Sequence, residues 1–327
     1  MDRKPLVDCF KNTLAMCEAS KLAVATEKAK KSTKVYKENF NHAPTENASL
    51  LFEGDISVVE GTSFATAKKY VGEGKIGVLN FANPHNPGGG VINGAMAQEE
   101  CLCRSSNLYP CLLVPEATSE YYNYNKNIAN NFFSDRVIYT DNVTVFKTDD
   151  TVPVLMSKKE WFNVSVLTCA APYVAKRKYT NKKALEELFV KRIRNIFETA
   201  LENEISILIL GAFGCGEFKN PPEIVARAFK RVTEDYKHLF SKIVFSIKST
   251  NNNDPYSPCP NIMAFEREFC GLSAEGNKLR FCDPYPLEQA IGQIVMPSGR
   301  VLKGGTEFNP YVEWKKTTDI LENSFQF

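Results

Sequence analysis

The chain is expected to form an α/β fold in three layers, with helices on both faces of a central mixed or parallel sheet. Three observations carry that expectation. Apolar runs of strand length recur along the chain, helix-like segments separate them, and two of the runs end in glycine-bearing loops that lead into further helices.

Taken in order, residues 7–37 are rich in Ala, Lys and Glu, with spaced apolar positions at Leu14, Met16, Leu22, Val24 and Val35 that suit one or two amphipathic helices. The basic run Lys28, Lys30, Lys31 and Lys34 reads as a solvated helix face. After His42-Ala43-Pro44 the pattern changes: 56–59 reads as a strand, 63–71 as a helix and Ile76–Phe81 as a strand. Further strands are expected at 136–146, 164–169, 205–210 and Lys242–Ile247. Helices are expected at Lys182–Glu202, after Pro221-Pro222, and at 261–269. Beyond Gly271 the rhythm is lost. The expected organisation is a helical extension over 1–40, an α/β domain over 41–270 and a C-terminal extension over 271–327.

A chain of 327 residues with 43% apolar content can bury a sizeable core. Forty basic residues against 38 acidic ones leave a net charge of +2, so an anionic ligand has to be held by local groups rather than by the overall field. The ten cysteines are irregularly spaced with no CxxC pair, which points to reduced thiols and a cytosolic or nuclear setting. The first residues, MDRKPLVDCF, lack a signal-peptide core, and the most apolar segment, 205–213, is too short to span a bilayer. His42, His85 and His238 are scattered, with no Cys or carboxylate at ligand spacing, so a metal site is not expected. Tyr121, Tyr122 and Tyr124 read as a core or surface aromatic cluster.

The two glycine loops carry the chemistry. Ile76–Phe81 runs into Asn83-Pro-His-Asn-Pro-Gly-Gly-Gly90, and 205–210 runs into Gly211-Ala-Phe-Gly-Cys-Gly216. Ligands of open α/β sheets sit beyond the carboxyl ends of the strands, so both loops should line one crevice. Three adjacent glycines forfeit packing and cost backbone entropy, which suits a backbone that takes unusual dihedrals or approaches a ligand closely. The second loop, with its backbone N–H groups beside a helix start, suits a phosphate or diphosphate, although structural turns use the same residues. It has neither the Lys-Ser/Thr ending of a nucleotide-triphosphate loop nor the GxGxxG of a dinucleotide fold.

Seven residues after the glycines comes Gln98-Glu99-Glu100. Adjacent helical side chains diverge by about 100°, so the two carboxylates are not expected to face the same atom; one can act as acid while the other positions substrate. Burial and the neighbouring charge should raise one of the two pKa values toward that of a general acid. Two acids in a first helical turn are also favoured by the helix dipole alone, but their place directly after the glycines favours chemistry.

The pattern GGG, spacer, QEE resembles the signature of poly(ADP-ribose) glycohydrolases. The fuller run NFANPHNPGGGVINGAMAQEECLCRSSNLYPCL is similar to their bacterial or microbial type. The segments DRVIYTDNVTVFK, VSVLTCAAPY, LGAFGCGEFKNPPEIVARAFKRV and FSIKSTNNNDPYSPCPNIMAFEREF resemble that family in the same order, so the likeness spans about 48–269. It implies a macrodomain, the α/β/α module that binds ADP-ribose, and hydrolysis of the ribose–ribose O-glycosidic bond of poly(ADP-ribose) without a cofactor. Expected partners are poly(ADP-ribose), ADP-ribose and ADP-ribosylated proteins.

By the same resemblance Glu100 is the catalytic acid and then the base that activates water, and Glu99 holds ribose hydroxyls. Asn86 matches the ribose-binding Asn before the glycines, and the backbone of Gly88, Gly89 and Gly90 approaches ribose and diphosphate. Gly214, Cys215 and Gly216 cradle the diphosphate, Phe218 packs over the terminal ribose, and Gln98 lines the site as a support for the loop. Asp55, in Gly54-Asp55-Ile56, matches the adenine-contacting Asp of macrodomains, although a turn before a strand explains it equally well. Glu217 departs from the family, which has a small apolar residue there; a side chain turned to solvent reconciles it. Two other functions stay open: a reader of ADP-ribose or polymer without turnover, and a hydrolase of protein-linked mono-ADP-ribose.

Overall fold

In a computed structural model the described residues are 2–38, 52, 54–175, 181–249, 259–271, 294–295 and 301–302. Residues 1–282 form one compact unit and 283–327 a second. The helices α1 (Lys4–Cys17) and α2 (Ser20–Lys31) come first, and Pro5 sits in the first turn of α1, where its missing N–H costs nothing. The strands β1 (Lys34–Tyr36), β2 (Asp55–Glu60), β3 (Ile76–Phe81), β4 (Val137–Val145), β5 (Phe162–Cys169), β6 (Ile207–Leu210) and β7 (Lys242–Ile247) form one seven-stranded sheet in the order β1-β4-β5-β3-β6-β7-β2. The run β5-β3-β6-β7-β2 is parallel, and β4 and β1 are antiparallel additions at one edge.

Strand periodicity divides the core into two. One face takes Leu79, Leu167, Leu208, Leu210, Ile243 and Phe245 and packs under α8 (Lys182–Glu202), α9 (Pro222–Tyr236) and α10 (Pro260–Glu266). The other takes Val78, Val166, Ile207, Ile209 and Val244. It packs under α1, α3 (Ser63–Lys69), α4 (Gln98–Ser105), α5 (Leu108–Leu112) and the buried tyrosines Tyr121 and Tyr122. Alternate residues of the same strands thus serve opposite layers, and the expected three-layer α/β/α arrangement with a mixed sheet is what the chain adopts. Tyr121 and Tyr122 lie in a π-helical stretch, Thr118–Asn123, between the short turns α6 (Pro115–Ala117) and α7 (Tyr124–Lys126). Tyr124 stacks instead on Arg136, whose guanidinium carbon is 3.3 Å from the ring centroid.

The boundary expected at residue 40 does not separate a body. α1 and α2 belong to the first compact unit, and β1 pairs with β4 through Lys34↔Tyr139 and Val35↔Ile138. Phe10 of α1 lies in the core beneath α4. The apolar positions of α1 belong to the main core, which is why this helix cannot behave as a free extension. The described part of the second unit is a two-residue pairing of β8 (Ile294–Val295) with β9 (Val301–Leu302). His42 lies outside the described residues.

Candidate active site

Both glycine loops emerge at the carboxyl end of the parallel strands. The first extends the ladder by one bond, Ala82 N–H to the Cys169 carbonyl at 3.0 Å, and then turns. Asn83 makes that turn: its Oδ1 accepts the N–H groups of His85 and Asn86, both at 2.9 Å, as an Asn before a Pro-containing loop is suited to do. Asn86 itself is exposed, and its carbonyl accepts the N–H of Gly89 at 2.9 Å. Gly88 and Gly89 have φ values of +67° and +59°, the left-handed region that L side chains avoid. Space is as restrictive as torsion. A Cβ on Gly88 would strike the ring of Tyr109 at 2.7 Å, and one on Gly89 would lie 2.5 Å from Glu100 Oε1 and 3.1 Å from Glu99 Oε2.

This last contact corrects the expectation that the two carboxylates cannot face one atom. Both border the same point at Gly89. They occupy the first turn of α4, where side chains lean toward the helix N-terminus, and the glycine loop lies across that end. The angular divergence therefore matters less than the shared tilt.

The two glutamates are differently held. Glu99 is buried, its Oε2 accepting the Asn83 N–H at 2.7 Å and its Oε1 the side-chain amide of Asn80 at 3.3 Å. Glu100 Oε1 accepts the N–H of Gly90 at 2.8 Å, whereas Glu100 Oε2 is buried with no hydrogen-bond partner among the described residues. The carboxyl that is raised is Glu99: burial, reinforced by the charge of Glu100, pushes it up to about 8 against the opposing hydrogen bonds from Asn83 and Asn80. Gln98 is committed to the protein. Its Oε1 accepts the Phe81 N–H at 2.8 Å, and its Nε2 donates to the Leu79 carbonyl at 2.7 Å and to Ser63 Oγ at 3.0 Å, which fastens the start of α4 to β3 and α3.

The second loop is shaped by packing beneath it. A Cβ on Gly211 would meet the Ser246 carbonyl at 2.7 Å and the Phe81 ring at 2.9 Å, and Gly214 has φ +77°. Asn220, buried, closes the loop by donating to the carbonyls of Pro172 at 2.7 Å and Gly214 at 2.9 Å. Around Gly216 a Cβ would meet nothing within 4 Å. The Cys215 N–H is taken up by the Ala212 carbonyl at 3.1 Å, and burial pushes its thiol well above the ordinary range. A thiolate favoured by the nearby helix start is therefore not present; desolvation outweighs the dipole. Glu217 is exposed.

Aromatic rings join the two loops. Phe81 packs on Phe213 with centroids 5.8 Å apart, Phe218 lies edge-on to Tyr173 at 5.2 Å, and Phe133 bridges Phe218 at 6.4 Å and His85 at 5.3 Å. Phe133 has φ +59°, an unusual conformation for a bulky residue. Buried Arg192 fixes its neighbours: the guanidinium pairs with Asp135 at 2.9 Å and donates to the carbonyls of Ala170, Phe132 and Phe133.

Asp55 is not part of this arrangement. It opens β2, at the amino end of the parallel strands and so at the opposite end of the sheet from both loops, exposed and paired with Lys242 at 3.2 Å. The Gly54-Asp55-Ile56 tripeptide is the turn that enters a strand, with Gly54 at φ +71°. Sequence reasoning also missed Asn80, Asn83, Asn220, Phe133 and Arg192. Among the described residues no group of three His, Cys, Asp or Glu side chains could hold a metal ion, the nine described cysteines are free, and no helix is long and apolar enough to cross a membrane.

The catalytic-domain model of microbial-type poly(ADP-ribose) glycohydrolase matches residues 7–148, which include most of α1, the GGG loop and both glutamates. A solved poly(ADP-ribose) glycohydrolase from Deinococcus radiodurans in complex with ADP-ribose is 30% identical, covering 76% of this chain and 98% of its own, with a TM-score of 0.64. The chain belongs to the microbial-type poly(ADP-ribose) glycohydrolase family. The glycohydrolase from Thermomonospora curvata is similar as well: bound to the inhibitor ADP-HPD it is 28% identical, with 81% and 99% of the two chains covered and a TM-score of 0.68. A second crystal structure of the Thermomonospora curvata enzyme gives 27% identity and a TM-score of 0.70. No curated protein matches. Membership in the glycohydrolase family makes the chain a glycosidase of the hydrolase class.

Proposed function

We propose that this protein hydrolyses the ribose–ribose O-glycosidic bond of poly(ADP-ribose) and releases ADP-ribose, with Glu100 as the acid and then the base. The observation that carries the assignment to Glu100 is its buried Oε2. Both oxygens of Glu99 have protein donors, whereas this oxygen has none among the described residues. A buried carboxyl oxygen without a partner is costly, and a substrate oxygen beside Gly89 would satisfy it. In the first step Glu100 Oε2 delivers a proton to the leaving ribose oxygen while positive charge develops on the distal ribose. In the second, the resulting carboxylate takes a proton from water as its oxygen attacks the anomeric carbon.

Glu99 supports that step from the side. Burial pushes its own pKa up to about 8, so Glu99 keeps its proton at neutral pH beside the reacting carboxyl. Glu99 Oε2 lies next to the Gly89 position, and in this reading it accepts ribose hydroxyls. Asn86 and the glycine backbones of both loops bind ribose and diphosphate, and Phe218 covers the distal ribose with its ring fixed by Tyr173 and Phe133. The purified protein, with chelator present, is expected to release free ADP-ribose from purified polymer. Tight binding of polymer with no release over hours would instead make it a reader.

A further inference from the structure

Arg104 lies in the last turn of α4, one helical turn beyond Glu100, and is 0% exposed. Among the described residues its side-chain hydrogen bonds go to a carbonyl and a thiol rather than to a carboxylate, and its Nε has no partner. A buried guanidinium without a counter-charge is expensive; the negative end of α4 offsets only a part of that. Its donors go to the polypeptide of the catalytic loop and its own helix: Nη1 to the Ala95 carbonyl at 2.5 Å and Nη2 to Cys101 Sγ at 3.4 Å. Ala95 in turn donates its N–H to the Gly90 carbonyl at 3.1 Å, and Gly90 donates its own N–H to Glu100 Oε1 at 2.8 Å. One turn of α4 leads from Glu100 back to Arg104, so the four residues form a closed ring of contacts around the loop.

From this ring we infer that Arg104 is a positioning residue for the proposed reaction. It holds residues 90–95 against α4 so that Gly90 fixes one oxygen of Glu100 and leaves the other aimed at substrate. This rests on Glu100 as the reacting group. α1 supports the same ring from behind: Thr13 Oγ1 donates to the Arg104 carbonyl at 2.6 Å, and a Cβ on Gly94 would meet the Arg3 carbonyl at 2.9 Å. Misplacing a reacting group by about 1 Å can cost about 100-fold in rate, and for a change at Arg104 that cost would fall on turnover rather than on binding, because Arg104 is buried behind the loop and residues 214–216 are not part of the ring.

The test is steady-state hydrolysis of polymer by the full chain together with calorimetric binding of ADP-ribose. Arg104→Met fills the same space without charge or donors. Its kcat is expected to fall about 10- to 100-fold while KM and the ADP-ribose Kd stay within about threefold; Arg104→Lys, which keeps one donor for Ala95, recovers most of the loss. Gly90→Ala breaks the ring at its other side, since its Cβ would meet that of Ala95 at 2.9 Å, and should lower kcat by a similar factor; its affinity is not the readout, because Gly90 also borders the proposed ribose site. The double variant should then lose less than the two losses combined. The inference is overturned if either folded variant keeps wild-type kcat, if kcat and ADP-ribose affinity fall together in Arg104→Met, or if the two losses multiply. A wild-type protein that never releases ADP-ribose would instead refute the glycohydrolase reading itself.

Discussion

Glu100→Gln is expected to lower kcat for polymer hydrolysis about 1000-fold, within the 10²- to 10⁴-fold range of positioned acid–base groups, and to leave ADP-ribose affinity within about threefold of wild type. The amide has the carboxyl's shape, so its oxygen can still accept the Gly90 N–H that Glu100 Oε1 accepts now. What is lost is the exchange of a proton at the buried position of Oε2. An amide can neither protonate the leaving ribose oxygen nor take a proton from water. Single-turnover kinetics separate the two steps from product release. Full activity of the variant would dismiss Glu100 as the acid, and parallel loss of binding and turnover would make it a structural residue of the loop.

Glu99→Gln is expected to stabilise the protein, and increasingly so as pH rises. The folded-state pKa of about 8 lies above the ordinary 4.5. Between those values the unfolded chain releases a proton that the folded chain retains, so wild-type stability falls as pH rises through that window and levels off above it. The accumulated loss is on the order of a few kcal/mol. Glutamine has no such titration. Its amide can also be accommodated, because Asn80 Oδ1 is buried without a partner and a turned Asn80 amide would accept from it. Urea denaturation at pH 4 and pH 8 measures the difference: the variant should gain little at the lower pH and clearly at the higher. A gap that is the same at both values, or a wild type that is the more stable at pH 8, would contradict a buried protonated Glu99. Stability is the readout here because loss of Glu99 also removes a proposed ribose contact.

Much of the fold was legible because its signals are local and periodic. Ile76–Phe81, Lys182–Glu202 and Lys242–Ile247 are found where hydrophobic pattern and turn residues put them. β1 was not legible, since Lys34-Val35-Tyr36 follows a helical, lysine-rich run and becomes a strand only through its pairing with β4. The site divides in the same way. The glycines and Gln98-Glu99-Glu100 announce themselves by spacing, but the inequality of the two glutamates is set by partners elsewhere: Asn80 on β3, Asn83 after it, and the Gly90 N–H. Asn220, Phe133 and Arg192 act across long sequence separations, with no local pattern to mark them. Asp55 shows the reverse failure, a familiar tripeptide whose meaning depended on which end of a parallel strand it occupies.

The central claim is that the free oxygen of Glu100, and not that of Glu99, meets the reacting bond. A crystal structure of the full chain with ADP-ribose tests it most directly. The account predicts Glu100 Oε2 within about 3 Å of the anomeric hydroxyl of the distal ribose, with Glu99 on a neighbouring hydroxyl. Finding Glu99 at the anomeric position, with Glu100 Oε2 turned away into protein, would contradict it.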